Sequence, residues 1–179
     1  MKIYGVYSPI KRIGKSRYIK RKCEAYGEKQ KILLISMEEF SKSDEEGAGL
    51  SEVIYFYKQN KFGMVFTMPG IIRKEMYYDY ILPVRWVFDL MDMTDKDWVG
   101  LLEEIEKENI YDCVWIDFDG MPPGIELFEK CEQIYMPYIE NAEETMRIKQ
   151  FEHMLAMMPE FDIDEKLVKI KIEEDVLCT

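Results

Sequence analysis

The chain has 179 residues, 47% of them apolar, which is enough for one buried core and short for two, so a single domain over 1–179 is expected. Acids outnumber cations 35 to 24, and the net charge of -11 weighs against general association with nucleic acid or an anionic membrane, since both reward clustered cations. No apolar run approaches the roughly 20 residues that cross a bilayer, the four cysteines have no C-x-x-C spacing and His153 is the only histidine, so neither a membrane span nor a zinc site is expected and the chain reads as cytoplasmic.

The first apolar run, "IYGVY" (3–7), predicts a buried strand and leads into "SPIKRIGKSR" (8–17). A helix follows, with Ile19, Cys23 and Tyr26 as its apolar stripe. "KILLISM" (31–37) is a second strand and ends at Glu38-Glu39. The polar segment 41–49 is a loop, and 59–76 fits either a loop or an irregular helix. "YYDYILPV" (77–84) is a third strand. Trp98, Leu101, Leu102 and Ile105 fall at i, i+3, i+4 and i+7, with Thr94 as N-cap and Asp97 completing a capping box. "DCVWIDF" (112–118) is the fourth strand, and Ile125, Leu127 and Phe128 mark a short helical piece after Pro122-Pro123. "QIYMPY" (133–138) and "KLVKIKI" (166–172) are weaker strands on either side of a helix striped by Ile148, Phe151, Leu155 and Met158. Strands alternating with helices predict an α/β fold, a mostly parallel sheet with helices on both faces and strand one central.

Three strand ends carry chemistry. Strand one runs into Gly14-Lys15-Ser16, the order that closes a phosphate-binding loop, although Pro9 stands where that loop has its first glycine. There Lys15 would reach terminal phosphates and Ser16 would ligate Mg²⁺. The plain alternative is a βα turn rich in cations. Asp117 closes the fourth strand, at the sheet edge where α/β proteins line their ligand crevice, and either holds the metal or caps the next turn. Glu38-Glu39 polarise water there or are two solvated acids.

These ends occur with "IYGVYSP", "KILLISMEEFS", "GLSEVIYFYKQ", "YDYILPVR", "YDCVWIDFDG" and "CEQIYMPYIEN" in one order. On these segments the chain resembles the MinD/ParA group of deviant P-loop ATPases, and in particular its CpaE-like branch. The resemblance implies a three-layer P-loop fold, ATP or ADP with Mg²⁺ as cofactor, a homodimer or another protein partner, and work as a positioning or regulatory switch. It makes Lys15 the phosphate lysine beside Gly14, Ser16 the Mg²⁺ hydroxyl, Asp117 the second-motif carboxylate and Glu38 the acid that orients attacking water. The group's signature lysine falls at Ile10 and two loop glycines fall at Lys11 and Arg12, which become the substitute cations. Weak or absent hydrolysis follows from those departures. An active Mg-ATP hydrolase is the first alternative. A P-loop phosphotransferase is the second, and it would need lid arginines where the late chain offers only Arg85 and Arg147.

Seven of the twelve residues from Lys11 to Lys22 are cationic. Positive charge near a helix N-terminus is disfavoured by about 0.3–1 kcal/mol per group. A compensating anion is expected, from a nucleotide, an acidic partner or the protein's own acids.

Overall fold

Period-two alternation along the apolar runs sorts each strand's side chains onto two faces of one sheet, and the two faces are covered differently. The structure is a computed structural model that describes residues 1–39, 47–121, 124–140, 142–157 and 165–172. Its elements are β1 (Lys2–Val6), α1 (Lys15–Gly27), β2 (Ile32–Ser36), α2 (Leu50–Lys58), α3 (Met64–Thr67), β3 (Arg73–Lys74), β4 (Asp79–Ile81), α4 (Val87–Met91), α5 (Asp95–Lys107), β5 (Cys113–Asp117), α6 (Glu126–Lys130), β6 (Gln133–Tyr138), α7 (Ala142–Ala156) and β7 (Leu167–Lys171). The strands form one sheet in the order β3-β4-β2-β5-β1-β6-β7, parallel throughout except for the β3–β4 pair. The α/β expectation holds, with β5 in the middle position and β1 beside it. No helix among the described residues is long and apolar enough to cross a membrane.

Leu33, Ile35, Val114 and Ile116 point to one face and pack with Val53 of α2, Trp98, Leu101 and Ile105 of α5, Phe128 of α6 and Phe151 of α7. Their neighbours Ile32, Leu34, Cys113 and Trp115 point to the other face, with Val6, and pack under Ile19 and Cys23 of α1. The Thr94 capping box forms as expected: the Asp97 N–H donates to Thr94 Oγ1 at 3.2 Å and the Thr94 N–H donates to Asp97 Oδ2 at 2.9 Å.

Several expectations need correction. The strand expected over 77–84 shortens to β4, because beyond Ile81 the Leu82 carbonyl accepts the Leu50 N–H at 2.9 Å and so serves the start of α2. The undecided stretch 59–76 contains α3 and β3. Tyr26 is 44% exposed, so the buried stripe of α1 is Lys15, Ile19 and Cys23. Positions 41–46 of the expected loop, Pro122, Pro123 and Met158 lie outside the described residues.

Candidate functional site

The link from β1 to α1 alternates anchors with display positions. Tyr7, Ile10 and Ile13 are buried, while Lys11 and Arg12 between them are exposed. Ile10 therefore spends its side chain on the core, and its N–H donates to Ser8 Oγ at 3.2 Å. Two residues in the link have left-handed backbone, Gly14 at φ 82 and Arg12 at φ 64. Glycine meets that geometry without strain, whereas a residue with a Cβ is destabilised there by about 1–2 kcal/mol. Arg12 thus has a backbone that a glycine would adopt without strain, and Lys11 does not.

Lys15 opens α1 and is only 8% exposed. Its ammonium donates to the Phe118 carbonyl at 2.5 Å and to the Asp119 carbonyl at 3.4 Å, and lies 3.7 Å from the Asp119 carboxylate. The end of β5 thereby holds the lysine down. The register Val6↔Asp117 and Ser36↔Asp117 brings three strand ends level at this edge. Because Cys113 and Trp115 face α1, the same alternation turns Asp117 toward the first turn of that helix.

There the Ser16 hydroxyl donates to Glu38 Oε1 at 2.9 Å, and the Glu38 N–H reaches Ser36 Oγ at 3.4 Å. Ser16, Ser36, Glu38 and Asp117 share a cavity of about 90 Å³ with Lys20 and Tyr80. Burial pushes the Asp117 carboxyl up to about 6 against the pull of Lys15 and Ser16, and Glu38 and Asp119 add repulsion. Its Oδ1 is buried and has no hydrogen-bond partner among the described residues, a costly state for a carboxylate in the absence of a cation. No cluster of three or more His, Cys, Asp or Glu suited to a metal forms among the described residues. Two carboxylates and a hydroxyl nevertheless fit Mg²⁺, which keeps waters and takes phosphate oxygens to complete its shell.

Outside this cavity a cleft of about 770 Å³ opens over the helix start, lined by Lys11, Arg12, Gly14, Lys15 and Ser16 together with Glu38 and Glu39. The structure thus brings together every residue expected at the site, Asp117 lying in the adjoining cavity. Three features were missed. Asp119 and the Phe118 carbonyl restrain Lys15, and backbone acceptors leave no mark in a sequence. Arg17 and Arg21 also line the cleft, and their i, i+4 spacing on α1 was a readable signal. Ile170, Lys171 and Ile172 contribute through the last strand, which only the crossover through α7 brings alongside.

The excess cations of α1 find a compensation not foreseen. Lys22 lies 5.5 Å from the ring centres of Tyr18 and Tyr135 and 5.8 Å from that of Tyr26, and Lys20 lies 5.3 Å from the Tyr80 ring. Electron-rich ring faces stabilise these two ammonium groups.

No model of a known protein family matches the chain, and no curated protein matches it in sequence. Solved structures match its fold. A ParA family ATPase from Chlorobium tepidum superposes with a TM-score of 0.76 at 14% identity, over 97% of this chain and 75% of that one. A candidate plasmid partition protein of Borrelia burgdorferi bound to AMPPNP gives 0.60 at 18% identity, over 97% and 75%. The pNOB8 ParA bound to nonspecific DNA gives 0.56 at 14%, over 89% and 60%. The chain has the α/β fold of ParA/MinD-type P-loop ATPases, and at these identities the likeness is one of fold.

Proposed function

We propose that the chain is a single P-loop nucleotide-binding domain of the ParA/MinD type, CpaE-like in descent, that binds ATP or ADP weakly, hydrolyses it very slowly or not at all, and acts in the cytoplasm through a protein partner or a second copy. The observation that carries this reading is the convergence of Lys15, Ser16, Glu38 and the buried Asp117, whose Oδ1 has no partner among the described residues, at one sheet edge. Gly14, Lys15 and Ser16 cradle the terminal phosphates with backbone N–H groups and the lysine ammonium, as helix N-termini do. Ser16 and Asp117 hold Mg²⁺, which when bound neutralises charge on the phosphates. Glu38, released from Ser16, faces the position of an attacking water. The AMPPNP-bound neighbour supports a nucleotide as ligand. One neighbour is bound to nonspecific DNA, but a net charge of -11 weighs against a general nucleic-acid surface here.

Weak hydrolysis is supported by Ile10, which is buried where a mobile lysine would otherwise stand. Removing one positioned cation costs about 10³–10⁵ in phosphoryl-transfer rate. The active-hydrolase alternative has one observation in its favour, the presence of Lys11 and Arg12 in the cleft. The phosphotransferase alternative has none: Arg85 pairs with Glu52, and neither Arg85 nor Arg147 lines the cleft.

Calorimetry with ATP and ADP, with and without Mg²⁺, tests the binding, and Lys15→Ala should abolish the signal. Binding unchanged by Lys15→Ala would place the phosphates elsewhere. Phosphate release under saturating MgATP should match the Lys15→Ala background. A steady turnover above that background, lost in Glu38→Ala, would establish the active-hydrolase alternative instead.

A further inference from the structure

Some of the exposed cations of this chain find a carboxylate. Lys2 pairs with Glu132, Lys58 with Asp97, Lys74 with Asp79, Lys130 with Glu103 and Lys169 with Glu152. Others, Lys29, Lys31, Lys61, Lys96 and Lys149 among them, have no ion pair with any described residue; Lys11, Arg12 and Arg21 share that state and differ in lining one cleft together. Arg12 holds its place at the cost of left-handed backbone, in a loop whose other positive-φ residue is a glycine. Strain of that kind persists where the surrounding structure has a use for it.

The position of Arg21 narrows what the cations await. A 5′ phosphate chain seated on Gly14, Lys15 and Ser16 lies at the first turn of α1. Arg21 is five residues beyond Ser16, about 7.5 Å farther along the helix axis at 1.5 Å per residue. Arg17, one turn earlier, lines the cleft as well. The positive row therefore continues along the helix beyond the turn that holds the phosphates, while Ile13, Tyr18, Ile170 and Ile172 give the same cleft apolar wall for a base or sugar. The acids of the cleft, Glu38, Glu39 and Asp119, come from the strand ends beside Ser16 and Lys15, on the metal side.

Resting on the nucleotide reading above, we propose that the cleft is built for a nucleotide phosphorylated at two separate positions: a 5′ chain on the Gly14-Lys15-Ser16 turn and a further phosphate on the ribose, bound by Arg21. Arginine suits that task because its planar fork meets phosphate oxygens two at a time.

The test is calorimetry on the intact chain with ADP and with its two analogues that carry an added 2′ or 3′ phosphate. One analogue should bind at least about tenfold more tightly than ADP, the scale of one charge-assisted contact. Arg21→Gln should erase that advantage while leaving ADP affinity within about twofold, and Arg21→Lys should restore part of it. Arg21 is exposed, so neither variant threatens folding, and melting curves check this. If ADP binds and neither analogue gains, this inference is overturned and the phosphate-loop reading stands. An equal loss for ADP and analogue in Arg21→Gln also overturns it, by putting Arg21 on the 5′ chain. If nothing binds, the phosphate-loop reading falls and takes the inference with it.

Discussion

The two faces of the sheet are built from the same strands by different chemistry. One is covered by α2, α5, α6 and α7 through a continuous aliphatic and aromatic core. Among the described residues the other is covered by α1, under which Tyr4, Trp115 and Tyr135 form a tilted and stacked series with Lys22 over the Tyr135 ring. Burial of apolar area holds the first face. A smaller apolar cluster, aromatic contact and cation–π attraction hold the second, where a strained Arg12 and a buried Asp117 oxygen cost stability, and the candidate site lies there. Tight packing and the candidate site are thus divided between faces: what the α1 side gives up in packing it keeps as exposed charge and a buried carboxylate oxygen without a partner among the described residues.

The largest effect that would break this comparison belongs to the packed face. Leu101 is fully buried, and Leu101→Ala should destabilise by about 2–5 kcal/mol in denaturant unfolding. A cost below about 1 kcal/mol would mean that this face is no tighter than the other.

Asp117→Asn should do the reverse. An acid whose folded pKa lies above its unfolded value binds its proton more readily when folded, so its ionisation costs stability as pH rises from about 4 to 6, and the full cost persists above that range. With the pKa raised from 3.8 to about 6, the variant should be more stable than wild type by roughly 2–3 kcal/mol at pH 7.5 and nearly equal to it at pH 4. Paired melts at the two pH values measure it, and a pH-independent difference would assign the effect to packing. The same variant should lose Mg²⁺-dependent nucleotide binding.

Arg12→Gly sharpens the contrast at one residue. Relief of left-handed backbone should stabilise by about 1 kcal/mol net of the added freedom of glycine in the unfolded chain. Affinity for a phosphate ligand should fall at the same time. A loss of stability instead would show that the Arg12 side chain, exposed in the structure, contributes more than its backbone costs.

The smallest expected change is at Lys22. Replacing it with Gln removes the charge from three ring faces and should cost about 0.5–1 kcal/mol, with no change in ligand affinity. A change in affinity would connect the aromatic stack to the cleft.

The sequence by itself determined the strands of the sheet centre, the α5 helix with its cap, and the identity of the candidate site residues. Runs such as "ILLIS" and "CVWID" are buried on both sides, and the Thr94 cap is closed by a residue three positions away, so each is written in local chemistry. Lys15, Ser16 and Asp117 were legible because strand ends of an α/β sheet meet at one edge whatever the details. The tertiary structure alone decided the remainder. Ile10 goes to the core while Lys11 and Arg12 go to the cleft, a choice set by what packs beneath the loop. Lys15 is restrained by carbonyls more than a hundred residues away, and β7 supplies a cleft wall only after a crossover. Tyr18, Tyr26 and Tyr135 turned a crowd of like charges into a tolerated helix because sheet register placed a distant ring beneath Lys22. Each of these is a long-range contact, and the free energy of such contacts depends on chain closure and shared burial that no short window of residues encodes.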